Sequence, residues 1–337
     1  MIKVFNNISL QDRNSFHIDV QCSKLIEFES AKDLQTLFAE TNDAPKEWMV
    51  LSGGNNILFT KDVDMTLLTP VATDITIIED NDSSTTIRVE AGAEWDDVVE
   101  WCVARDLWGI ENLSLIPGKA GAAPIQNIGA YGVEACDALL SVEYFDTKSL
   151  QIFNIAACYC QFAYRDSIFK RELKGRAIVT AIELKLSKSA APKIEYADVK
   201  QRVEECGGAT LRNIRDVICA IREAKLPDTA VLGNAGSFFK NPVVDNATAE
   251  RVKSNYPDVA LYPVDDKQTK IAAGWLIDKA GLKGYREGNV GIHERQALVL
   301  VNHGGASGAE VVAFSKMVQS KVKEIFGIEI ESEVNIL

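Results

Sequence analysis

The segment Ile116–Gly132, IPGKAGAAPIQNIGAYG, limits most tightly what this chain can fold into. Its seventeen residues hold four glycines, two prolines, four alanines and three isoleucines, with Lys119 the only charge. No helical or strand period runs through it, so it is neither an ordinary amphipathic helix nor a half-buried strand. Small residues leave no Cβ bulk in the way, and backbone N–H groups can then approach a bound molecule closely. The plainer alternative is a tight buried connection. Either way the rest of the chain has to supply the core that holds this segment in place.

A chain of 337 residues exceeds one ordinary core and implies two or three domains. Hydrophobic residues at 47% and charged residues at 25% are those of a soluble globular protein. Residues 1–20 are too polar for a secretory signal, and no apolar run approaches the roughly 20 residues needed to span a bilayer. A cytoplasmic protein is expected. The seven cysteines are odd in number and contain no CxxC pair, which suits reduced thiols better than disulfides or zinc. His293 is followed by Glu294, but Ala297 stands where a zinc-protease helix needs its second histidine, so no metal is expected. A net charge of −12 argues against a general nucleic-acid binder but leaves room for a phosphorylated ligand held by a few convergent cations.

Along the chain, Ser30-Ala31-Lys32-Asp33 opens a helix with a capping-box pattern, followed by Leu34, Leu37 and Phe38. A strand at 48–51 leads into Ser52-Gly53-Gly54-Asn55-Asn56, a glycine turn that suits phosphate or simply a tight reversal. Residues 86–91 alternate as a strand, and Trp95, Val98, Val99, Cys102 and Val103 form a helical core stripe. Strands are expected at 142–153 and 178–186, and helices at 211–225, around 272–278 and at 309–326, the last stopped by Gly327. Leu226-Pro227-Asp228 marks a boundary. A final strand is expected at 328–336, with Ile328, Ile330, Val334 and Ile336 on one face and Glu329, Glu331 and Glu333 on the other.

Taken singly, the polar candidates are ordinary. Ser237 has no G-x-S-x-G context and no neighbouring histidine, which removes a Ser-His-Asp triad but leaves a hydroxyl able to hand a proton to a developing carbanion. Glu333 reads equally well as a solvated strand carboxylate. Arg165 beside Asp166 reads as a surface pair worth ~0–1 kcal/mol.

Taken together they resemble the UDP-N-acetylenolpyruvoylglucosamine reductase family of peptidoglycan precursor synthesis. The resemblance spans nearly the whole chain: the turn at 52–56, the loop at 116–132, YRDSIFK at 164–170, KLPD at 225–228, GNAGSFFKNP at 233–242, AAGWLIDKAGLKG at 272–284, RQALVL at 295–300 and the Glu333 strand. Residues 193–198, KIEYAD, are similar to the tyrosine-bearing loop of the longer subclass, which closes over substrate.

The resemblance implies an α+β protein with the two-lobed FAD-binding fold of the vanillyl-alcohol-oxidase-like (PCMH-type) flavoenzymes and a C-terminal α/β substrate domain. The implied lobes are 1–72 and 73–226, the substrate domain is 227–327, and 328–337 is a last strand returning to the flavin. It implies non-covalent FAD, NADPH as reductant with NADP+ leaving before the second substrate enters, hydride delivery from flavin N5 to C3 of the enolpyruvyl ether, and a proton from Ser237 to C2. Arg165 and Glu333 would polarise the substrate carboxylate and stabilise the enolate. Tyr196, Lys225, Asn241, Tyr262, Lys270, Lys283 and Gln296 match substrate or nicotinamide contacts. Gly53, Gly54, Asn55, Asn56, Pro117, Gly118, Gly121, Ala122, Ala123, Gln126, Asn127, Gly129, Ala130, Gly132 and Arg222 match the flavin site. A monomer acting on UDP-N-acetyl-enolpyruvoylglucosamine, with no nucleic-acid or membrane partner, is expected.

Four departures stand out: Ser52 for a glycine, Asn55 for a serine, Lys119-Ala120 for a small polar residue and a valine, and Asn335 where some relatives are basic. The rivals are weaker. An oxidase of the same fold would often carry a flavin-linking histidine, and this loop has none. A dinucleotide-fold dehydrogenase needs G-x-G-x-x-G after a strand. A non-catalytic binder would be expected to lack Ser237, Arg165 or Glu333.

Overall fold

A computed structural model describes residues 1–39, 44–196 and 198–337. Ala197, within the expected tyrosine loop, lies outside the described residues. The chain forms two compact units. The first comprises 1–8, 22–53 and 64–222, and the second 9–21, 54–63 and 223–337. Two short N-terminal segments thus belong to the C-terminal unit, which a partition by consecutive sequence blocks does not anticipate.

In the first unit a four-stranded sheet has the order Lys3–Ser9, Gln21–Phe28, Val63–Pro70, Trp48–Val50. The helix Ala31–Ala39 starts as expected. Asp33 N–H donates to Ser30 Oγ at 3.2 Å and Ser30 N–H to Asp33 Oδ2 at 3.2 Å, so two end donors are satisfied reciprocally. Its Leu34 and Leu37 join Ile26, Phe28, Leu68, Phe145 and Ile178 in a small core.

The larger core of this unit lies against a five-stranded antiparallel sheet, ordered Gln151–Ala156, Leu139–Asp146, Ala177–Ser187, Ser84–Glu90, Ile75–Asp80. Ile182, Leu184 and Leu186 are fully buried and pack with the helix Trp95–Val103, whose expected stripe is all buried, and with the helix Leu211–Lys225. The stretch expected as one strand at 142–153 is a hairpin instead. Asp146 reverses the chain, its Oδ1 accepting the Lys148 N–H at 2.9 Å, and Leu150 takes φ +58°. An Asx-type turn without glycine or proline carries little signal in sequence.

The second unit contains a four-stranded sheet ordered Gly233–Ser237, Val299–Asn302, Val290–Ile292, Arg286–Glu287. A three-stranded sheet is formed by Val243–Asp245, Gln268–Ile271 and Leu261–Pro263. The helix Gly308–Phe326 runs between a Ser307–Glu310 capping box and Gly327, which ends it at φ +67°. Its buried residues Val311, Phe314, Val318, Val322 and Phe326 recur at helical spacing. Gly308 has a packing reason: a Cβ there would stand 1.8 Å from the Phe59 carbonyl oxygen. The expected last strand is mostly irregular, with no strand assigned over 328–331. Among the described residues, Ser332 makes a single antiparallel bridge with Phe239, and Asn335–Ile336 pairs in parallel with Ile57–Leu58. Ile328, Ile330 and Val334 are buried as the alternation predicts, but Ile336 is exposed.

Arg176 bonds both oxygens of Asp146, with Nε to Oδ1 at 2.8 Å, and holds a carboxyl whose side chain is 1% exposed at a pKa of about 2. Because the folded pKa lies below the unfolded one, this stabilisation is present above about pH 4 and is lost as pH falls toward 2. Arg176 is half-exposed and solvent screens the pair, so Asp146→Asn is expected to cost roughly 1–2 kcal/mol at pH 7. In urea unfolding, the difference from wild type should shrink steadily between pH 4 and pH 2.

Candidate active site

The loop at 116–132 has turn bonds of its own, such as Ala122 N–H to the Lys119 carbonyl at 2.9 Å, and the connection at 91–95 holds it from outside. Gly121 N–H donates to the Ala91 carbonyl at 3.0 Å, Ala120 N–H to Ala93 at 2.8 Å, and Trp95 N–H to Gly118 at 2.8 Å. Lys119 makes a backbone bridge with Glu94. At Gly121 a Cβ would meet the Ala91 Cβ at 2.5 Å, so this glycine serves the approach of loop to strand. Left-handed backbone recurs along the segment at Leu115, Gly118, Asn127, Tyr131 and Gly132. Three of these five carry side chains that disfavour the conformation, so bonds from outside must maintain it.

Those bonds are visible at Leu115. Its N–H donates to Asp96 Oδ1 at 2.6 Å and its carbonyl accepts from Arg222 Nε at 3.2 Å. Asp96 is gripped in turn by Arg215, whose two terminal nitrogens reach its two oxygens at 2.7 and 2.8 Å. Burial works to raise the Asp96 pKa, but Arg215, the Leu115 N–H and the charge of Arg222 outweigh it and keep the carboxyl below its ordinary range. Burial pushes the Arg222 pKa down, with the Tyr131 hydroxyl and Asp96 opposing. Arg215 and Arg222 lie two turns apart on the helix Leu211–Lys225. The sequence reading found Arg222 through the resemblance and missed Asp96 and Arg215. Two arginines seven apart on an otherwise apolar helical stripe were the available signal.

Asn127 is 1% exposed, and its side chain is committed inside the protein. Its amide donates to Glu134 Oε2 at 2.7 Å and to the Ala163 carbonyl at 3.3 Å, and its oxygen accepts the Cys136 N–H at 3.0 Å. Its side chain therefore braces the loop from within. Ser167 Oγ adds a bond to the Ile125 carbonyl at 2.6 Å. Arg165 sits in the tight reversal closed by the Ala163–Asp166 bridge, at φ +55°, and its Nη2 donates to the Gly129 carbonyl at 3.2 Å. The expected catalytic arginine thus lies on the glycine-rich loop.

In the glycine turn, the Ser52 Oγ is buried without a hydrogen-bond partner. An orphaned hydroxyl there, together with a backbone-rich loop of small residues, fits a ligand that brings its own acceptors, as the pyrophosphate of a dinucleotide does. Gly54 takes φ +66°, and a Cβ would stand 2.2 Å from the Arg13 carbonyl oxygen, so packing explains this glycine. Asn56 receives the tail: its carbonyl accepts from Asn335 N–H at 3.2 Å and Asn335 Nδ2 at 2.9 Å. Asn335 is therefore tied to the turn by both its main chain and its side chain.

In the second unit Ser237 ends a strand interrupted by a register shift between Asn234 and Ser237. Asn234 Oδ1 accepts the Gly236 N–H at 2.9 Å, and Gly236 takes φ +66°. Such an irregularity re-aims the next side chain. Phe238 and Phe239, which follow the strand, are buried and anchor its end. Phe238 N–H donates to the Leu298 carbonyl at 2.8 Å, while its own carbonyl accepts the Glu333 N–H at 2.8 Å. Phe239 also bridges Ser332, and Lys240 N–H donates to Glu331 at 2.9 Å. The C-terminal segment is thereby laid beside Ser237, and two residues 96 positions apart become neighbours through main-chain pairing.

The remaining expected contacts divide. Tyr262 and Lys270 face each other across the three-stranded sheet, with Tyr262 45% exposed. Gln296 lies against the helix Ala273–Lys279, where a Cβ on Gly274 would be 3.4 Å from its Oε1. Lys225 is exposed at the end of its helix. Asn241 Oδ1 accepts the Ala273 N–H at 2.9 Å, so its oxygen caps that helix. Lys283 pairs with Asp278 at 3.1 Å on the surface. Among the described residues no group of three His, Cys, Asp or Glu is placed to hold a metal, and no helix is long and apolar enough to cross a membrane.

Removing the charge that holds Leu115 is expected to loosen the loop. Asp96→Asn should raise the FAD dissociation constant by about tenfold, read by titrating the apoprotein and following flavin absorbance. An unchanged constant would show that the left-handed Leu115 holds without the carboxylate.

Comparison with known proteins agrees with this geometry. Residues 227–337 match the family model of the UDP-N-acetylenolpyruvoylglucosamine reductase C-terminal domain, and residues 23–150 match an FAD binding domain. A UDP-N-acetylenolpyruvoylglucosamine reductase from Pseudomonas aeruginosa is 45% identical, with 99% of each chain covered. Those from Shewanella sp. (strain ANA-3) and Bacteroides fragilis are 43% and 42% identical, over 98% of this chain and 96% and 98% of theirs. The crystal structure of the Thermus caldophilus reductase aligns over 100% of this chain and 99% of its own with a TM-score of 0.71 at 23% identity, a likeness of fold. The fold is an α+β FAD-binding architecture followed by the reductase C-terminal domain. At such identity over full length, the chain belongs to the UDP-N-acetylenolpyruvoylglucosamine reductase family.

Proposed function

We infer that this protein reduces UDP-N-acetyl-enolpyruvoylglucosamine to UDP-N-acetylmuramate in peptidoglycan precursor synthesis, as a cytoplasmic monomer. FAD, when bound, would supply the hydride for C3 of the enolpyruvyl ether, with NADPH as its reductant. The observation that carries the reading is the main-chain pairing that sets Glu333 beside Ser237.

Hydride addition at C3 breaks the C2=C3 double bond and leaves its electron pair delocalised onto the carboxylate. The product then needs one proton at C2. Ser237 is suited to deliver it, because the bulge aims a hydroxyl whose position is fixed by buried Phe238 and Phe239. Glu333 on the adjoining segment hydrogen-bonds the growing negative charge when protonated. Arg165 holds the substrate carboxylate bidentately, and its anchorage to Gly129 means that little reorganisation is needed as charge develops. Gly53, the Ser52 hydroxyl and the loop from Pro117 to Gly132 hold FAD, with Arg222 fixing the loop's entry. Tyr262 and Lys270, paired across their strands, together with Tyr196, Lys225, Asn241, Lys283 and Gln296, receive the nucleotide sugar or the nicotinamide cofactor.

Ser237→Ala separates the two half-reactions. Flavin reduction by NADPH is expected to stay within about twofold of wild type, while reoxidation by the enolpyruvyl substrate falls about 10³-fold. Anaerobic single turnovers followed by flavin absorbance read both. Equal losses in the two halves would remove Ser237 from proton transfer.

A further inference from the structure

One buried side chain outside the expected site joins two of its parts. Asn112 is 0% exposed, in a short helical turn at Glu111–Leu113. That turn is itself held firmly, since Glu111 Oε2 accepts the Gly109 N–H at 2.7 Å and Trp95 Nε1 donates to the Leu113 carbonyl at 3.1 Å. The Asn112 amide nitrogen donates to the Tyr131 carbonyl at 2.9 Å and to the Lys193 carbonyl at 2.6 Å. The first carbonyl belongs to the glycine-rich loop and the second to the segment bearing Tyr196.

The Asn112 oxygen, by contrast, is buried with no hydrogen-bond partner. Burying a carbonyl without a donor is unfavourable, so this position holds an asparagine for what its nitrogen does. Two further polar ties of the tyrosine segment lie at the surface: Lys193 Nζ to Asp137 at 2.8 Å and Lys200 Nζ to Glu195 at 3.1 Å. Surface pairs of this kind contribute little to position. Residues 191–195 also lack helix or strand, so no ladder fixes them. Yet Tyr196, half-exposed, meets the Tyr131 ring edge-on, with centroids 5.9 Å apart at 87°. Tyr131 is itself left-handed at φ +50°, and burial pushes its hydroxyl pKa up while the charge of Arg222 opposes this.

We propose that Asn112 is a positioning residue that seats Tyr196 on Tyr131 by bridging the Lys193 and Tyr131 carbonyls. The tyrosine segment is thereby coupled to the loop that holds FAD. This deepens the reading of Tyr196 as a contact to the nucleotide sugar and rests on it. Asn112 touches neither substrate nor cofactor; it acts through Tyr196.

The test uses the holoenzyme with Asn112→Ala and, in case a cavity prevents folding, the near-isosteric Asn112→Leu, which also removes the orphaned oxygen. Amide hydrogen exchange in 193–196 is expected to speed up about tenfold while the helix at 211–225 is unchanged. KM for UDP-N-acetyl-enolpyruvoylglucosamine should rise about tenfold, with kcat, FAD content and reduction by NADPH within about twofold. In a Tyr196→Ala background, adding Asn112→Leu should change KM no further. Unchanged exchange, additive losses with Tyr196→Ala, or a parallel loss of FAD would each overturn the proposal. Failure of wild-type reduced flavin to be reoxidised by this substrate would sink the functional reading instead, while the exchange experiment would still decide what Asn112 holds.

Discussion

The backbone at Leu115 is the point on which the glycine-rich loop depends. A segment of alanine, glycine and proline has almost no side chains with which to define its own shape, so its conformation is imposed by its surroundings. Asp96 takes the Leu115 N–H and Arg222 its carbonyl, keeping a non-glycine residue at φ +54°. Both holding groups are ionic, and Arg215 locks the carboxylate with a two-pronged bond. Charged groups make shorter and stronger hydrogen bonds than amides, which matters where the backbone is strained. From Leu115 the loop hangs on the carbonyls of Ala91 and Ala93 and is pinned again at Asn127, from which the Arg165 turn is reached.

The second unit solves a different problem. Its two chemically interesting groups, Ser237 and Glu333, come from the ends of a long stretch of chain, and no side-chain network between them is needed to bring them together. Main-chain bonds on both sides of Phe238 do it. Phe238 and Phe239 then supply the apolar weight, packing edge-to-face with centroids 5.1 Å apart. The N-terminal segment at 9–21 completes this unit: Asn302 Nδ2 donates to the Phe16 carbonyl at 2.8 Å, and a Cβ on Gly233 would approach that oxygen to 2.5 Å. The chain is therefore not divisible into consecutive blocks at its breakers, even though Leu226-Pro227 lies close to the boundary between units.

Much of the fold was legible. The helix at Trp95–Val103, the helix at Leu211–Lys225 and the capped helix ending at Gly327 follow from apolar period and end chemistry, because local sequence sets both. The hairpin turn at 147–150 escaped because Asp146 makes it with a side-chain bond and a left-handed leucine, without glycine or proline. The last strand was over-extended for another reason. Alternation reports which face is buried, and Ile328, Ile330 and Val334 obey it, but it says nothing of whether a partner strand lies alongside.

For the site, sequence alone determined the family, the identity of the acid–base candidates and the backbone-exposing character of the loop, since these are carried by contiguous motifs. It could not show that Asp96 and Arg215 maintain that loop, or that Asn112 ties the tyrosine segment to it. Each is an unremarkable polar residue whose meaning lies in a partner far along the chain. Nor could it show that the Asn127 side chain is consumed internally or that Asn241 caps a helix. A hydrogen-bonding side chain has a fixed capacity, and only the tertiary structure decides whether that capacity is spent on the protein or left for a ligand.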